Sequence, residues 1–140
     1  MSEETLRSYG MAQVRTVRLI ENKFVIDIMD QALADADYCI YAFVIGDEIV
    51  RIGSSKGQLR SRFRAWQRDV SQSLNGHHKP TPEWEAQAWK AALEKLGSGK
   101  IFARRGADVT TPIGTFPAYL DEESVWIGRH LPRLNRSKHR

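Results

Sequence analysis

The feature that most constrains the fold is a β-hairpin predicted over residues 38–52. Residues 38–45 (YCIYAFVI) are apolar on both faces, as expected of a central strand. Residues 46–47 (Gly-Asp) are a turn signal, and residues 48–52 (EIVRI) return as a second strand that runs into a glycine turn at Gly53. Arg51 is unusual in an otherwise apolar stretch of that strand. The simplest interpretation is an edge strand whose arginine points to water.

An amphipathic helix is predicted directly after the hairpin, from about residue 58 to residue 74. Its apolar residues recur at helical spacing and form one stripe. Arg60, Arg64 and Arg68 lie one turn apart on the open face of this helix. Arg62 lies at the border of the apolar stripe instead, so its side chain is directed toward the packed body of the protein.

Three further elements follow. A helix is expected up to about Leu96, with Thr81 as its N-cap, Pro82 at its first position and glycines at its end. A third strand is expected over residues 100–105, followed by a loop to Pro117 that is rich in glycine, proline and threonine. A last helix begins near Asp121, where acidic residues in the first turn suit the helix dipole.

The start of the chain is harder to interpret. Residues 14–20 resemble a strand, whereas residues 23–36 fit either a helix or a strand that runs into a helix. We therefore predict an α+β fold, with a small three-stranded antiparallel sheet flanked by helices. Residues 1–37 form an N-terminal extension in this scheme, and residues 136–140 a basic tail.

A second constraint comes from the distribution of charge. Residues 51–105 hold 12 basic and 4 acidic residues, whereas residues 1–50 hold 4 basic and 9 acidic residues. A basic middle segment indicates a polyanionic partner, with a solvated basic face as the alternative. Such a partner would be held through phosphate contacts that carry no sequence choice. The side chains predicted to make these contacts are Arg60, Arg64, Arg68, Arg104, Arg105 and Lys138.

Several classes of protein are disfavoured. The single cysteine, Cys39, allows neither a disulfide framework nor a two-cysteine zinc site within one chain. The longest apolar run, residues 39–45, is too short to cross a membrane, and the N-terminus shows no secretory signal. We expect a cytoplasmic protein with no membrane partner.

Three side chains could together hydrolyse a phosphodiester. Tyr41 can exchange a proton, Arg62 can clamp a phosphate, and Glu123 can hold a hard cation such as Mg²⁺. Glu123 is predicted on the inner face of the last helix, because it is three, four and seven residues before Trp126, Ile127 and His130. Taken singly, each of the three is more often structural: a core tyrosine, a salt-bridge arginine and a first-turn glutamate.

The order of these residues resembles the pattern of the GIY-YIG nuclease family. CIY at residues 39–41 is followed, after nine intervening residues, by RIG at residues 51–53. LRSR at residues 59–62 matches the family's L-x-x-R, with one extra residue in the preceding loop. The resemblance covers residues 38–135, which would form the nuclease-like domain. The matching residues are Tyr41, Gly53, Arg62, Glu123, Pro132 and Asn135.

The resemblance implies a DNA endonuclease that uses one divalent ion, Mg²⁺ or Mn²⁺. In the family's scheme Glu123 would bind the ion, Arg62 would hold the scissile phosphate, and Tyr41 would act as general base on the attacking water. Arg51 fills the place of the second family tyrosine. If the hairpin has a three-residue loop, Arg51 lies opposite Tyr41 and acts on it or on the phosphate. Restriction, mobile-element and repair roles all fit such an activity.

Two departures from the family pattern leave alternatives open. Arg51 replaces the tyrosine of YIG, and Trp66 stands where the family often has histidine or tyrosine, although tryptophan can only donate a hydrogen bond. Trp66, His130 and Asn135 are expected to support the catalytic residues. The first alternative is a DNA-binding module that has lost catalysis, and the second is a structural or protein-interaction domain. An enzyme of this size that cuts palindromes is expected to form a homodimer, with an interface in residues 1–37.

Overall fold

The computed structural model describes residues 2–28, 31, 33–77 and 80–138. Four α-helices, seven strands and a final 3₁₀ helix, Arg133–Lys138, form the described chain. In chain order the helices and strands are α1 (Ser2–Ser8), β1 (Ala12–Ile20), β2 (Lys23–Ile28), β3 (Cys39–Ile45), β4 (Glu48–Ser55), α2 (Leu59–Leu74), α3 (Glu83–Leu96), β5 (Ser98–Arg105), β6 (Asp108–Thr111), β7 (Gly114–Pro117) and α4 (Tyr119–His130).

The main sheet has five antiparallel strands in the order β2-β1-β5-β3-β4. The predicted α+β class with an antiparallel sheet is confirmed, but the predicted number of three strands is wrong. Residues 1–37 supply the two additional strands, because β1 pairs along the free edge of β5 from Ala12 to Arg18. Val14 and Val17 of β1 are buried and extend the core over this part of the sheet.

Helices α2, α3 and α4 lie close to their predicted positions, with small differences at their ends, whereas α1 was not predicted. Helix α3 begins at Glu83 after Pro82, so Thr81 is not its N-cap. Residues 108–117, predicted to be a loop, form a separate two-stranded sheet of β6 and β7. Of the ambiguous residues 23–36, Lys23–Ile28 form β2, and residues 29, 30 and 32 lie outside the described residues.

Strand β3 lies inside the main sheet, between β5 and β4, and has helices on both of its faces. All seven of its residues are buried. Its odd-numbered side chains, such as Tyr41 and Phe43, pack against α2 and α3 through Trp66 and Trp89. Its even-numbered side chains pack against α1 and α4. The two pairs of helices therefore cover opposite faces of the sheet.

Side chains satisfy backbone groups on both outer strands of the main sheet. Asn135 accepts a hydrogen bond from the amide of Ile52 (2.8 Å) and donates one to its carbonyl (2.9 Å), as a neighbouring strand would. On β2, the amides of Phe24 and Ile26 donate to Ser71 Oγ and Gln67 Oε1 of α2. These contacts block strand addition at both edges.

Gly53 allows Tyr41 to reach across β4. The two residues are direct cross-strand partners, and a Cβ atom on Gly53 would lie 2.5 Å from both Cζ and Oη of Tyr41. Any side chain at this position would displace the aromatic ring. The glycine of the RIG motif is therefore required by the position of the Tyr41 hydroxyl.

We expect Gly53→Ala to destabilise the protein by roughly 1–3 kcal/mol, because the added methyl group overlaps a buried ring. Urea unfolding measures this change. Gly57→Ala is the matched control, since a Cβ there meets no atom within 4 Å, and its expected effect is within about 0.5 kcal/mol. Equal stability of the two variants would contradict the proposed contact.

Candidate active site at the edge strand β4

Arg62 and Glu123 come from helices on opposite faces of the sheet and interact electrostatically. Arg62 lies on α2 and is exposed, whereas Glu123 lies on α4 and is only 6% exposed. Between them, Ser54 of β4 donates a hydrogen bond from Oγ to Glu123 Oε1 at 3.0 Å. Because β4 is the edge strand, side chains from both faces can reach the same place.

Neighbouring side chains stabilise the positive charge of Arg62. Tyr41 raises the pKa of the Arg62 guanidinium most strongly, and Glu123 and Asp69 raise it further against the opposing effect of burial. Arg62 is therefore a permanent cation next to a carboxylate. An exposed permanent cation of this kind suits the binding of a phosphate.

The Tyr41 hydroxyl lies directly behind Arg62. Its oxygen accepts hydrogen bonds from Trp66 Nε1 at 2.7 Å and from Arg62 Nε at 3.1 Å. Tyr41 itself has no exposed surface, so Arg62 and Trp66 cover the hydroxyl in this conformation. Trp66, at a position often polar in GIY-YIG nucleases, orients the tyrosine.

The predicted pairing of Arg51 with Tyr41 is wrong. The hairpin has a two-residue turn at Gly46-Asp47, and the register shifts between Phe43 and Val44. As a result Arg51 is opposite Phe43, and Tyr41 is opposite Gly53. The shorter turn and the bulge each move the partner of Tyr41 one residue further along β4, from Arg51 to Gly53.

Arg51 is instead held by internal partners. Its Nη1 donates to Glu85 Oε1 at 3.2 Å and to the carbonyl of Leu134 at 2.6 Å, and its guanidinium lies 5.1 Å from the ring centre of Trp66. Glu85 also accepts a hydrogen bond from Trp89 Nε1. Glu85 was not predicted from the sequence. Its spacing of four residues before Trp89, on the buried face of a helix, is the signal that could have identified it.

Two clefts flank Arg62, one on each side of its guanidinium. One has a volume of about 220 Å³ and is lined by Arg51, Trp66, Asp69 and Glu85 as well as Arg62. The other, about 450 Å³, runs over the end of β4, and its lining includes Ser54, Lys56, Ser61, Arg62 and Tyr119. Together they form an open groove with Arg62 at its centre.

A metal ion at this groove would have few protein ligands. Among the described residues, no three histidine, cysteine, aspartate or glutamate side chains are grouped closely enough to form a metal site. Mg²⁺ in phosphoryl-transfer sites is commonly held by one or two carboxylates, with substrate phosphates and water completing the shell. Glu123 beside the hydroxyl of Ser54 fits such a site, so the donor set suits a metal that is held jointly with the substrate.

The side chains predicted to contact phosphate differ in how strongly they are paired with other groups of the protein. Arg60 pairs with Asp35 at 3.1 Å, and Arg68 with Asp69 at 3.0 Å. Arg105, which is half exposed, pairs with Asp37 at 3.4 Å. These are surface ion pairs, which cost little to exchange for a phosphate.

The remaining predicted contacts divide into three cases. Arg104 is part-buried, pairs with Glu122 and donates to the carbonyl of Tyr9, so it is bound within the fold. Arg64 is exposed on α2. The side chain of Lys138 lies outside the described part of the structure.

His130 and Asn135 lie away from the groove. His130 is hydrogen-bonded to the Tyr9 hydroxyl at 3.1 Å, and burial, together with Arg129, lowers the pKa of its imidazole. Asn135 is fully engaged by the backbone of Ile52. The structure therefore places His130 against α1 and Asn135 along β4, where it fixes the strand that carries Ser54.

The fold is shared with two solved nucleases. A structure of a bacteriophage T4 EndoII mutant, in which alanine replaces a glutamate, aligns with a TM-score of 0.65 and 22% sequence identity over 96% of this chain and 98% of that chain. The restriction endonuclease HPY188I, solved in complex with product DNA, aligns with a TM-score of 0.55 and 15% identity over 92% of this chain and 80% of that chain. No protein-family model and no curated protein matches the sequence.

Sequence identities this low establish a common fold and nothing finer. In the described part of the chain, no helix combines the length and apolar character needed to span a bilayer.

Proposed function

We propose that the protein is a DNA endonuclease of the GIY-YIG type that hydrolyses phosphodiester bonds with one divalent metal ion, Mg²⁺ or Mn²⁺. The observation that carries this proposal is the grouping of Arg62 with the Tyr41 hydroxyl, to which it is hydrogen-bonded, and with the carboxylate of Glu123, which interacts with Arg62 electrostatically and is hydrogen-bonded to Ser54 of β4. The fold shared with two nucleases supports it.

Arg62 would bind the scissile phosphate. Its guanidinium is exposed between the two clefts, and its raised pKa keeps it cationic throughout the working pH range. Its terminal nitrogens can engage two phosphate oxygens at once. The same contact would stabilise the negative charge that develops on the phosphate in the transition state.

Glu123 would hold the metal ion, and Ser54 would orient its carboxylate through the 3.0 Å hydrogen bond. When bound, the ion supplies Lewis-acid stabilisation of the phosphate oxygens. Burial of Glu123 keeps this carboxylate in one orientation beside the groove.

Tyr41 would act as general base: with its own phenolic proton already passed to solvent, its oxygen would accept a proton from the attacking water. Arg62 covers the hydroxyl in this conformation, and when Arg62 turns to a phosphate it gives up the Nε contact and uncovers the oxygen. Trp66 keeps its own hydrogen bond and so fixes the direction of the hydroxyl. The arginine that binds the substrate thereby exposes the base that the reaction requires.

A DNA-binding module without catalysis is the second candidate, and two observations favour it. Tyr41 is completely buried, and Arg51 forms an ion pair with Glu85 and is not opposite Tyr41. In that case the groove would bind a phosphate through Arg62 without cleaving the chain.

Incubation of the protein with supercoiled plasmid DNA tests the proposal. We expect nicked plasmid in Mg²⁺ or Mn²⁺ and none in EDTA. Salt-sensitive DNA binding without nicking, across several divalent metals and many sequences, would establish the binding module instead. Absence of binding at low salt would leave an interaction domain.

The proposal includes two predictions that rest on the sequence alone. They are a cytoplasmic location and a homodimer with an interface in residues 1–37. In the structure these residues supply α1 and two strands of the main sheet.

A further inference from the structure

The ribbon formed by β6 and β7 is the most exposed regular element of the described chain. All eight of its strand residues are exposed, and Ile113 in the turn is 87% exposed. Val109 and Phe116 form an exposed cross-strand pair on one side. On the other side the hydroxyls of Thr110 and Thr115 lie 3.1 Å apart. Both faces are therefore available to a partner.

The base of the ribbon is fixed relative to the candidate active site. Glu122 Oε1 accepts a hydrogen bond from the amide of Ala107 at 2.6 Å, and the amide of Ala118 donates to the carbonyl of Ala107 at 2.8 Å. Glu122 is the immediate neighbour of Glu123 on α4. Of these consecutive residues, Glu122 holds the base of the ribbon, and Glu123 is hydrogen-bonded to Ser54, which lines the groove.

The ribbon also continues directly into the groove. The residues that follow it, Tyr119 and Leu120, line the cleft that contains Ser54 and Arg62. A DNA duplex with a phosphate at Arg62 would therefore pass close to the ribbon, and no large movement of the chain would be needed to bring them together.

The composition of the ribbon suits bases better than phosphates. Among residues 108–117 the charged residue is Asp108, which lies 4.0 Å from Arg105. Threonine side chains offer a hydroxyl to base edges and a methyl group to thymine, and isoleucine offers an apolar contact. A two-stranded ribbon also has the width that the major groove admits.

We propose that the β6–β7 ribbon enters the major groove of the DNA and sets the sequence preference for cleavage. This inference rests on the proposed function, because it takes the groove at Arg62 to hold DNA. A second copy of the chain is a less suitable occupant, since stable interfaces bury roughly 800 Å² per partner and one face of a ten-residue ribbon offers only part of that area.

The test compares base preference in two variants and a control. Thr110→Val with Thr115→Val removes two hydroxyls and keeps the shape of the ribbon, and Ile113→Ala shortens its tip. Val125→Ala, at an exposed position on α4 outside the ribbon, is the control. Nick positions are mapped by sequencing, and bound fragments selected from random DNA are sequenced in parallel.

We expect the ribbon variants to lose discrimination at one or more base pairs by roughly 5- to 150-fold, with total binding and total nicking close to wild type. A preference profile that is unchanged, or absent from the wild type, overturns the inference. A shift from dimer to monomer in sedimentation of the ribbon variants, with the profile unchanged, assigns the ribbon to a second copy. If the wild type binds DNA but does not nick it, the proposed function fails, while the selected fragments still test the ribbon.

Discussion

Glu123→Gln should reduce plasmid nicking by roughly 10²–10³-fold or more while DNA binding is retained. The glutamine keeps the size of the side chain and can still accept the hydrogen bond from Ser54, so the fold should not change. It removes the negative charge that a divalent cation requires. Single-turnover nicking rates and fragment binding at fixed salt measure the two effects separately.

Glu94→Gln provides the matched control for this variant. Glu94 is an exposed carboxylate on α3, and its ion pair with Lys90 is long, at 4.0 Å. Removal of its charge should therefore leave both nicking and binding unchanged. An equal loss of nicking in both variants would point to a general effect of charge. Loss of binding together with nicking in Glu123→Gln alone would assign Glu123 to the integrity of the groove.

Tyr41→Phe is expected to lower nicking by roughly 10²–10⁴-fold, the range typical of general-base catalysis. It should also destabilise the protein by about 1–3 kcal/mol, because the buried Trp66 N–H loses its acceptor. Arg62 is exposed and can turn to water, so it adds little to this cost. Urea unfolding and nicking rates separate the structural effect from the catalytic one.

A double variant, Tyr41→Phe with Trp66→Phe, separates the structural effect of losing the Tyr41 hydroxyl from the catalytic effect. Trp66→Phe removes the donor that Tyr41→Phe leaves without a partner, so the double variant should lose less stability than the two single changes added together. Nicking should stay low in the double variant, because the hydroxyl is still absent. Recovery of nicking along with stability would mean that Tyr41 is a structural residue, as its complete burial suggests for the inactive alternative.

Local patterns in the sequence predicted the parts of the site that depend on one element. The 3.6-residue period of α2 placed Arg62 at the border of the apolar stripe, and the structure brings it to the sheet edge. The same reasoning placed Glu123 on the inner face of α4, where it is buried. Both predictions needed only the geometry of an isolated helix.

Strand pairings and side-chain contacts between distant segments could not be predicted from local sequence patterns. Strand β1 carries Arg15 and Arg18 among its apolar residues and gives no clear alternation, so its place beside β5 is set by tertiary contacts. The two-residue turn and the bulge in β4 changed the partner of Arg51, because each of them shifts the register by one residue. The contact of Glu85 with Arg51 joins residues 34 positions apart, and no local rule connects them.

The central claim is that Tyr41 and Glu123 belong to one DNA-hydrolysing site across β4. Its most direct test is the rate of plasmid nicking in Mg²⁺ by four proteins purified in parallel: the wild type, Tyr41→Phe, Glu123→Gln and Glu94→Gln. We expect nicking by the wild type and Glu94→Gln and almost none by the other two. Equal nicking by all four, or DNA binding by all four without nicking, would contradict it.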